Sequence, residues 1–133
     1  MWRHGYSEDV TDTKHGFMSM IGAHSPEAAD GRATLTVDAD DRHLNAAGTV
    51  HGGMLATLVD ATMGAAIRSA VGGETPATSH LTLTYLRPGK PGQLIVTARV
   101  RKRGDTLTVC EADVEQDGKP LVHALATFAL LET

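Results

Sequence analysis

One amphipathic stretch, followed by nothing but strand and turn signals, narrows the fold more than any other feature of this chain. Between His51 and Ala70 the stripe Leu55, Leu58, Val59, Thr62, Met63, Ala66, Ile67 and Ala70 recurs at three- and four-residue spacing. That is one face of a helix of about five turns. The Gly72-Gly73 pair reads as its stop, because glycine readily takes the positive φ that ends many helices. No second long helical pattern exists to cover the stripe, so a sheet must.

The strands that would do so are legible. "GRATLTVDAD" alternates, with Ala33, Leu35 and Val37 on one face, and the turn before it is marked by Pro26 and Asp30-Gly31. Beyond the helix, "TSHLTLTYLR" ends at Arg87-Pro88-Gly89, and "QLIVTARVRKR" sets Leu94, Val96, Ala98 and Val100 on one face. Gly104-Asp105 turns the chain, "TLTVCEADVEQ" alternates, Asp117-Gly118 signals a two-residue hairpin, and "PLVHALATFALLE" closes the sheet. An early pair of strands, one helix and a four-stranded meander predict an α+β layer, a strongly curved antiparallel sheet packed on one helix. We read residues 1–17 as an N-terminal segment with a helical start at Ser7, and 18–133 as a single domain. Apolar sheet surface that the helix leaves uncovered predicts self-association.

Composition sets the outer bounds. A chain of 133 residues holds one core, and 41% hydrophobic with 21% charged residues is ordinary for a folded soluble domain. Aromatics are only 4%, so the core must be aliphatic. No apolar run approaches the ~20 residues that span a bilayer, no signal-peptide pattern precedes the body, and the single Cys110 can form no internal disulfide. A cytoplasmic protein that neither spans nor binds a membrane is expected. The seven histidines show neither HxH nor HxxxH spacing, so no metal is expected. Cys110, inside an alternating strand, reads as a small core residue. Nothing interleaves aromatics with basic residues, so no nucleic-acid partner is expected. Net charge is −4, yet Arg87, Lys90, Arg99, Arg101, Lys102 and Arg103 occupy a stretch without one acidic residue. That stretch reads as a local anion site, or as charge guarding an edge strand.

Two features could carry chemistry. Asp60 lies in the middle of the helix among Ala56, Thr57, Met63 and Gly64, none of which neutralises it. A carboxylate so placed can serve as nucleophile or general base. "GTVHGG", Gly48 to Gly53, stands where the helix must begin, and the free N–H groups of a helix's first turn outline an oxyanion hole. Eight residues of helix, about 12 Å, separate Gly52 from Asp60. Either a substrate spans both, or a second subunit sets its Asp60 beside the first subunit's Gly52.

The strings "NAAGTVHGGMLATLVD" (Asn45 to Asp60) and "TLTYLRPG" (Thr82 to Gly89) resemble the acyl-CoA thioesterases of the hotdog fold, most closely the phenylacetate-pathway type. The resemblance covers about Met18 to Leu131. It implies that Asp60 acts as general base or nucleophile toward the thioester and that the Gly52 N–H binds its carbonyl oxygen. Asn45 and His51 would orient the carbonyl and the water. Thr78 would position that water, with Thr75 and Ser79 as neighbouring alternatives. Contacts to coenzyme A and the acyl group fall on Gly53, His80, Tyr85, Arg87, Pro88 and Lys90, and on the turn Lys102, Arg103 and Gly104. The resemblance also implies no cofactor beyond the coenzyme A of the substrate, a homodimer that forms the site with Gly52 facing the other subunit's Asp60, and a homotetramer as a dimer of dimers. The acyl pocket would draw on Met54, Leu58, Met63 and Ile67. Two other readings stand beside hydrolysis: a hotdog hydratase or dehydratase, with His51 as acid or base, and a non-catalytic acyl-CoA binder.

Overall fold

A computed structural model describes residues 16–132. The helical start expected at Ser7 lies outside them. A one-turn helix α1 (Phe17–Met20) precedes β1 (Glu27–Ala29) and β2 (Arg32–Ala39), and a 3-10 turn (Asp41–His43) leads into the long helix α2 (Gly52–Arg68). Then come β3 (Thr75–Tyr85), β4 (Gly92–Arg103), β5 (Leu107–Gln116) and β6 (Lys119–Leu131). The six strands form one antiparallel sheet in the order β1-β2-β4-β5-β6-β3, and α2 packs against every one of them.

Alternation in sequence becomes alternation in burial. In β2, Ala33, Leu35, Val37 and Ala39 are buried while their neighbours are exposed. Leu94, Val96 and Ala98 of β4, Cys110, Ala112 and Val114 of β5, and Val122, Ala124, Ala126 and Phe128 of β6 continue the same face. Leu58, Val59, Thr62, Met63, Ala66 and Ile67 of α2 are fully buried against it. Thr62 is tolerated there because its hydroxyl donates to the Leu58 carbonyl at 2.6 Å. Both Asp-Gly pairs are two-residue hairpin loops with positive φ at each position: 53° and 82° at Asp30-Gly31, 53° and 76° at Asp117-Gly118.

The helix stop differs from expectation. α2 ends at Arg68, and Ser69 closes it in right-handed geometry with φ −72°. Gly72 and Gly73 are not among the positive-φ residues. Ser69 terminates the helix by donating from Oγ to the Ala66 carbonyl and accepting the Gly31 N–H, which ties the helix end to the β1–β2 hairpin. At the other side, buried His43 accepts the Asp40 N–H at Nδ1 and therefore donates from Nε2 to the Ile21 carbonyl at 2.7 Å. This bond fastens the segment after α1.

Candidate active site

The N-terminus of α2 has an unusual cap. His51 precedes the helix, and its Nδ1 accepts the Gly53 N–H at 2.8 Å. Met54 and Leu55 donate their N–H groups to the His51 carbonyl. Of the first-turn donors this leaves the Gly52 N–H without an acceptor among the described residues. The Tyr85 hydroxyl donates to the Gly52 carbonyl at 2.7 Å and holds that peptide in place. A glycine fits here because a Cβ would come within 3.3 Å of the Tyr85 ring and hydroxyl. Asn45 organises the preceding loop: its Oδ1 accepts from Ala47 N and Thr49 N, and its Nδ2 donates to Thr49 Oγ1. Asn45, Gly52, Tyr85, Arg87 and Pro88 line one pocket of about 360 Å³.

Asp60 opens onto a different groove. Its Oδ1 accepts the Thr78 hydroxyl at 2.5 Å. That pairing depends on a β-bulge: Thr78 lies opposite Phe128, but His80 lies opposite Thr127, so Ser79 is an extra residue in β3. The bulge restores the phase, so Thr78, Leu81 and Leu83 all face α2 although 78 and 81 differ by an odd number. Ser79 bonds Thr127 instead. Thr75 and Ser79, the neighbouring alternatives, make no bond to Asp60. The groove measures about 490 Å³ and runs along Ala61, Gly64, Ala65 and Arg68 between walls from Pro26, Ala28, Pro76 and Phe128.

The residues expected to line an acyl pocket are not in it. Leu58, Met63 and Ile67 are fully buried and Met54 nearly so, because they form the stripe against the sheet. The small face Ala61, Gly64 and Ala65, on the other side of the helix, is left open. Arg68 at its end was not singled out from sequence, where a terminal arginine on a helix carries no distinguishing signal.

The expected anion site divides. Arg99 pairs with Glu111 at 2.8 Å and Asp113 at 3.1 Å, and Arg101 reaches Glu111 at 3.5 Å. Burial works against the Arg99 charge, but these carboxylates more than compensate and raise its pKa. The basic run is thus neutralised at its centre by β5. Arg87 and Lys90 remain at one end of β4 and Lys102 and Arg103 at the other, about 35 Å apart at roughly 3.3 Å per residue. One chain cannot offer both to the same ligand. Gly104 has a structural reason of its own: its N–H donates to the Leu107 carbonyl, and a Cβ would collide with that oxygen. Gly53 sits exposed in the first turn, and exposed His80 lies on the β3 face away from α2, bonded to Thr82.

Cys110 is buried, and burial pushes its thiol up to about 11. The described residues contain no cluster of three His, Cys, Asp or Glu side chains suited to a metal, and no helix among them is long and apolar enough to cross a membrane.

Comparison with known proteins agrees with this architecture. Residues 47–123 match the family model described as thioesterase superfamily. A Halobacterium salinarum protein described as an esterase is 38% identical over 75% of this chain and 70% of its own length. Human acyl-coenzyme A thioesterase 13 is 35% identical over 65% of this chain; the chain spans 63% of that relative. Among solved structures, a Streptococcus pneumoniae thioesterase with coenzyme A superposes with TM-score 0.75 and 28% identity over 80% of this chain and 84% of the other. A Ralstonia eutropha phenylacetic acid degradation-related protein gives 0.79 and 28% over 86% and 89%. One long helix held in a curved six-stranded antiparallel sheet, with more than half the chain matched by the family model, makes this chain a member of the thioesterase superfamily with its hotdog fold.

Proposed function

We propose that the protein hydrolyses an acyl-CoA thioester to the free acid and coenzyme A, with Asp60 as the reacting carboxylate and the Gly52 N–H as the oxyanion donor. The observation that carries this reading is the Thr78–Asp60 hydrogen bond at the mouth of a groove, in a chain whose helix N-terminus keeps one donor unpaired among the described residues. Thr78 occupies Oδ1 and leaves Oδ2 for the reaction. Acting as base, Asp60 takes a proton from water as the water oxygen bonds to the acyl carbon, and the carbonyl oxygen gathers charge against Gly52 N–H. The C–S bond then breaks and the departing thiolate takes the proton back. Acting as nucleophile, Asp60 would form an acyl anhydride that water cleaves. The Streptococcus pneumoniae relative with coenzyme A supports a CoA thioester as substrate. A hydratase would use His51 as acid or base. Its Nδ1 is already engaged by Gly53 N–H, so that nitrogen is not free to take a proton and only an acid role through Nε2–H remains to the ring, which weakens that reading beside hydrolysis.

The site is completed by a second subunit. Gly52 and Asp60 open onto separate pockets of one chain, two helical turns apart. β3 is an eleven-residue edge strand without Asp, Glu, Lys or Arg, an edge open to pairing with its twin. Such pairing would bring each Asp60 toward the other subunit's Gly52. A thiol-release assay over acyl-CoAs tests the activity: turnover should vanish in Asp60→Asn, and undiminished turnover would refute the assignment. Co-expressing Gly52→Pro with Asp60→Asn tests the shared site. About a quarter of wild-type activity should return, since about half the dimers are mixed and each of those holds one intact site. No return would place both groups in one chain.

A further inference from the structure

The groove that begins at Asp60 ends at a cation without a counter-ion among the described residues. Arg68 lines the same groove, and the ion pairs among the described residues are made by Arg42, His43, Arg99, Arg101 and His123, not by Arg68. Between Asp60 and Arg68 the helix offers Ala61, Gly64 and Ala65, and Phe128 and Pro76 close the side. Ser69, the polar neighbour at that end, has its hydroxyl committed to Ala66 O and Gly31 N. A hydrocarbon chain fits this lining. Apart from Ser25, the middle of the groove offers few polar side chains to the amide groups of a pantetheine arm.

Resting on the hydrolase reading, we propose that the groove selects acyl groups ending in a carboxylate, with Arg68 as the residue that binds that distal charge. Asp60 and Arg68 are eight residues apart, about 12 Å along the axis. Helical side chains lean toward the N-terminus, so the arginine arm reaches back and shortens the gap to about 8 Å. An extended chain advances about 1.25 Å per C–C bond. The gap therefore matches dicarboxylic monothioesters of about six to eight carbons. A guanidinium suits a carboxylate end because it can offer two parallel N–H donors.

The test compares suberoyl-CoA with octanoyl-CoA, equal in length and differing at the distal end alone. Wild-type kcat/KM should favour suberoyl-CoA, and Arg68→Gln should lower the suberoyl-to-octanoyl ratio about tenfold through the KM for suberoyl-CoA. Arg68→Lys should recover part of that ratio. An unchanged ratio in Arg68→Gln would overturn the proposal. So would an equal rise of KM for both substrates together with weaker inhibition by free coenzyme A, which would assign Arg68 to a coenzyme phosphate. Hydrolysis of octanoyl-CoA without preference for suberoyl-CoA would sink the proposal and leave the hydrolase reading standing. Hydrolysis of neither would remove both.

Discussion

Replacing Gly52 by proline isolates one hydrogen atom. Position 52 is the first residue of α2, where proline is well tolerated because its missing N–H has no intrahelical partner. His51 before it has ψ 132°, inside the range favoured by a residue preceding proline. The Gly52 carbonyl still accepts from Tyr85, so the substitution removes no hydrogen bond within the described residues. The new Cβ lies 3.3 Å from the Tyr85 ring and hydroxyl, close enough to make the ring shift by a few tenths of an ångström. Gly52→Ala imposes the same Cβ and keeps the N–H, so the contrast between Pro and Ala belongs to the donor. Losing one oxyanion donor costs about 10²–10³ in kcat, and the open, half-buried setting of Gly52 points to the lower end, about 10². Stability should change by less than about 1 kcal/mol, since the entropy lost by the unfolded proline chain offsets the crowding. The assays are thiol release at saturating acyl-CoA and urea unfolding of all three proteins. A proline variant that unfolds like wild type and keeps kcat within threefold of the alanine variant would refute the oxyanion assignment.

Thr78→Val keeps a β-branched shape in β3 and deletes the bond to Asp60; kcat should fall roughly tenfold, since a partly exposed hydrogen bond to a charge sits at the low end of its range, and should hardly fall further in an Asp60→Asn background. Additive losses would show that Thr78 acts apart from the carboxylate. Cys110, its thiol raised to about 11 by burial, should resist iodoacetamide at pH 8 in the native protein and react after denaturation, as mass spectrometry would record. Burial pushes the Asp113 pKa up, but hydrogen bonds from His123 and Arg99 outweigh it and leave the net shift downward. The resulting stability is present above the unfolded value near ~3.9 and is lost as pH falls through the lower folded value. Asp113→Asn should therefore cost a fraction of ~1 kcal/mol at pH 7, and its deficit against wild type in urea unfolding should close below about pH 4. Thr108 Oγ1 is buried without a hydrogen-bond partner among the described residues, so Thr108→Val should raise stability by about 1 kcal/mol, read as a higher urea midpoint; a lower midpoint would mean the hydroxyl is satisfied.

What could be read from the chain alone is what local geometry dictates. A period of 3.6 placed α2 to within two residues of its observed ends, and a period of 2 assigned the buried faces of β2 and β4. Asp-Gly marked a turn at Asp30-Gly31 and a two-residue hairpin at Asp117-Gly118, because each position of both loops takes positive φ. Asp60 and the His-Gly-Gly turn were visible as a carboxylate without a helical partner and a glycine pair at a helix start.

Only the tertiary structure decided which groups meet. The bulge at Ser79 that turns Thr78 toward Asp60 has no local signature, because it depends on the register between β3 and a strand some fifty residues later. Arg99 and Arg101 lost their role in an anion site once pairing set β5 carboxylates beside them. The same contest settled the pocket. Periodicity identifies the stripe of α2 that must be buried, and that stripe holds the large residues Met54, Leu58, Met63 and Ile67. The curvature of a six-stranded sheet determines which face stays open, and it left a lane of small residues running from Asp60 to Arg68.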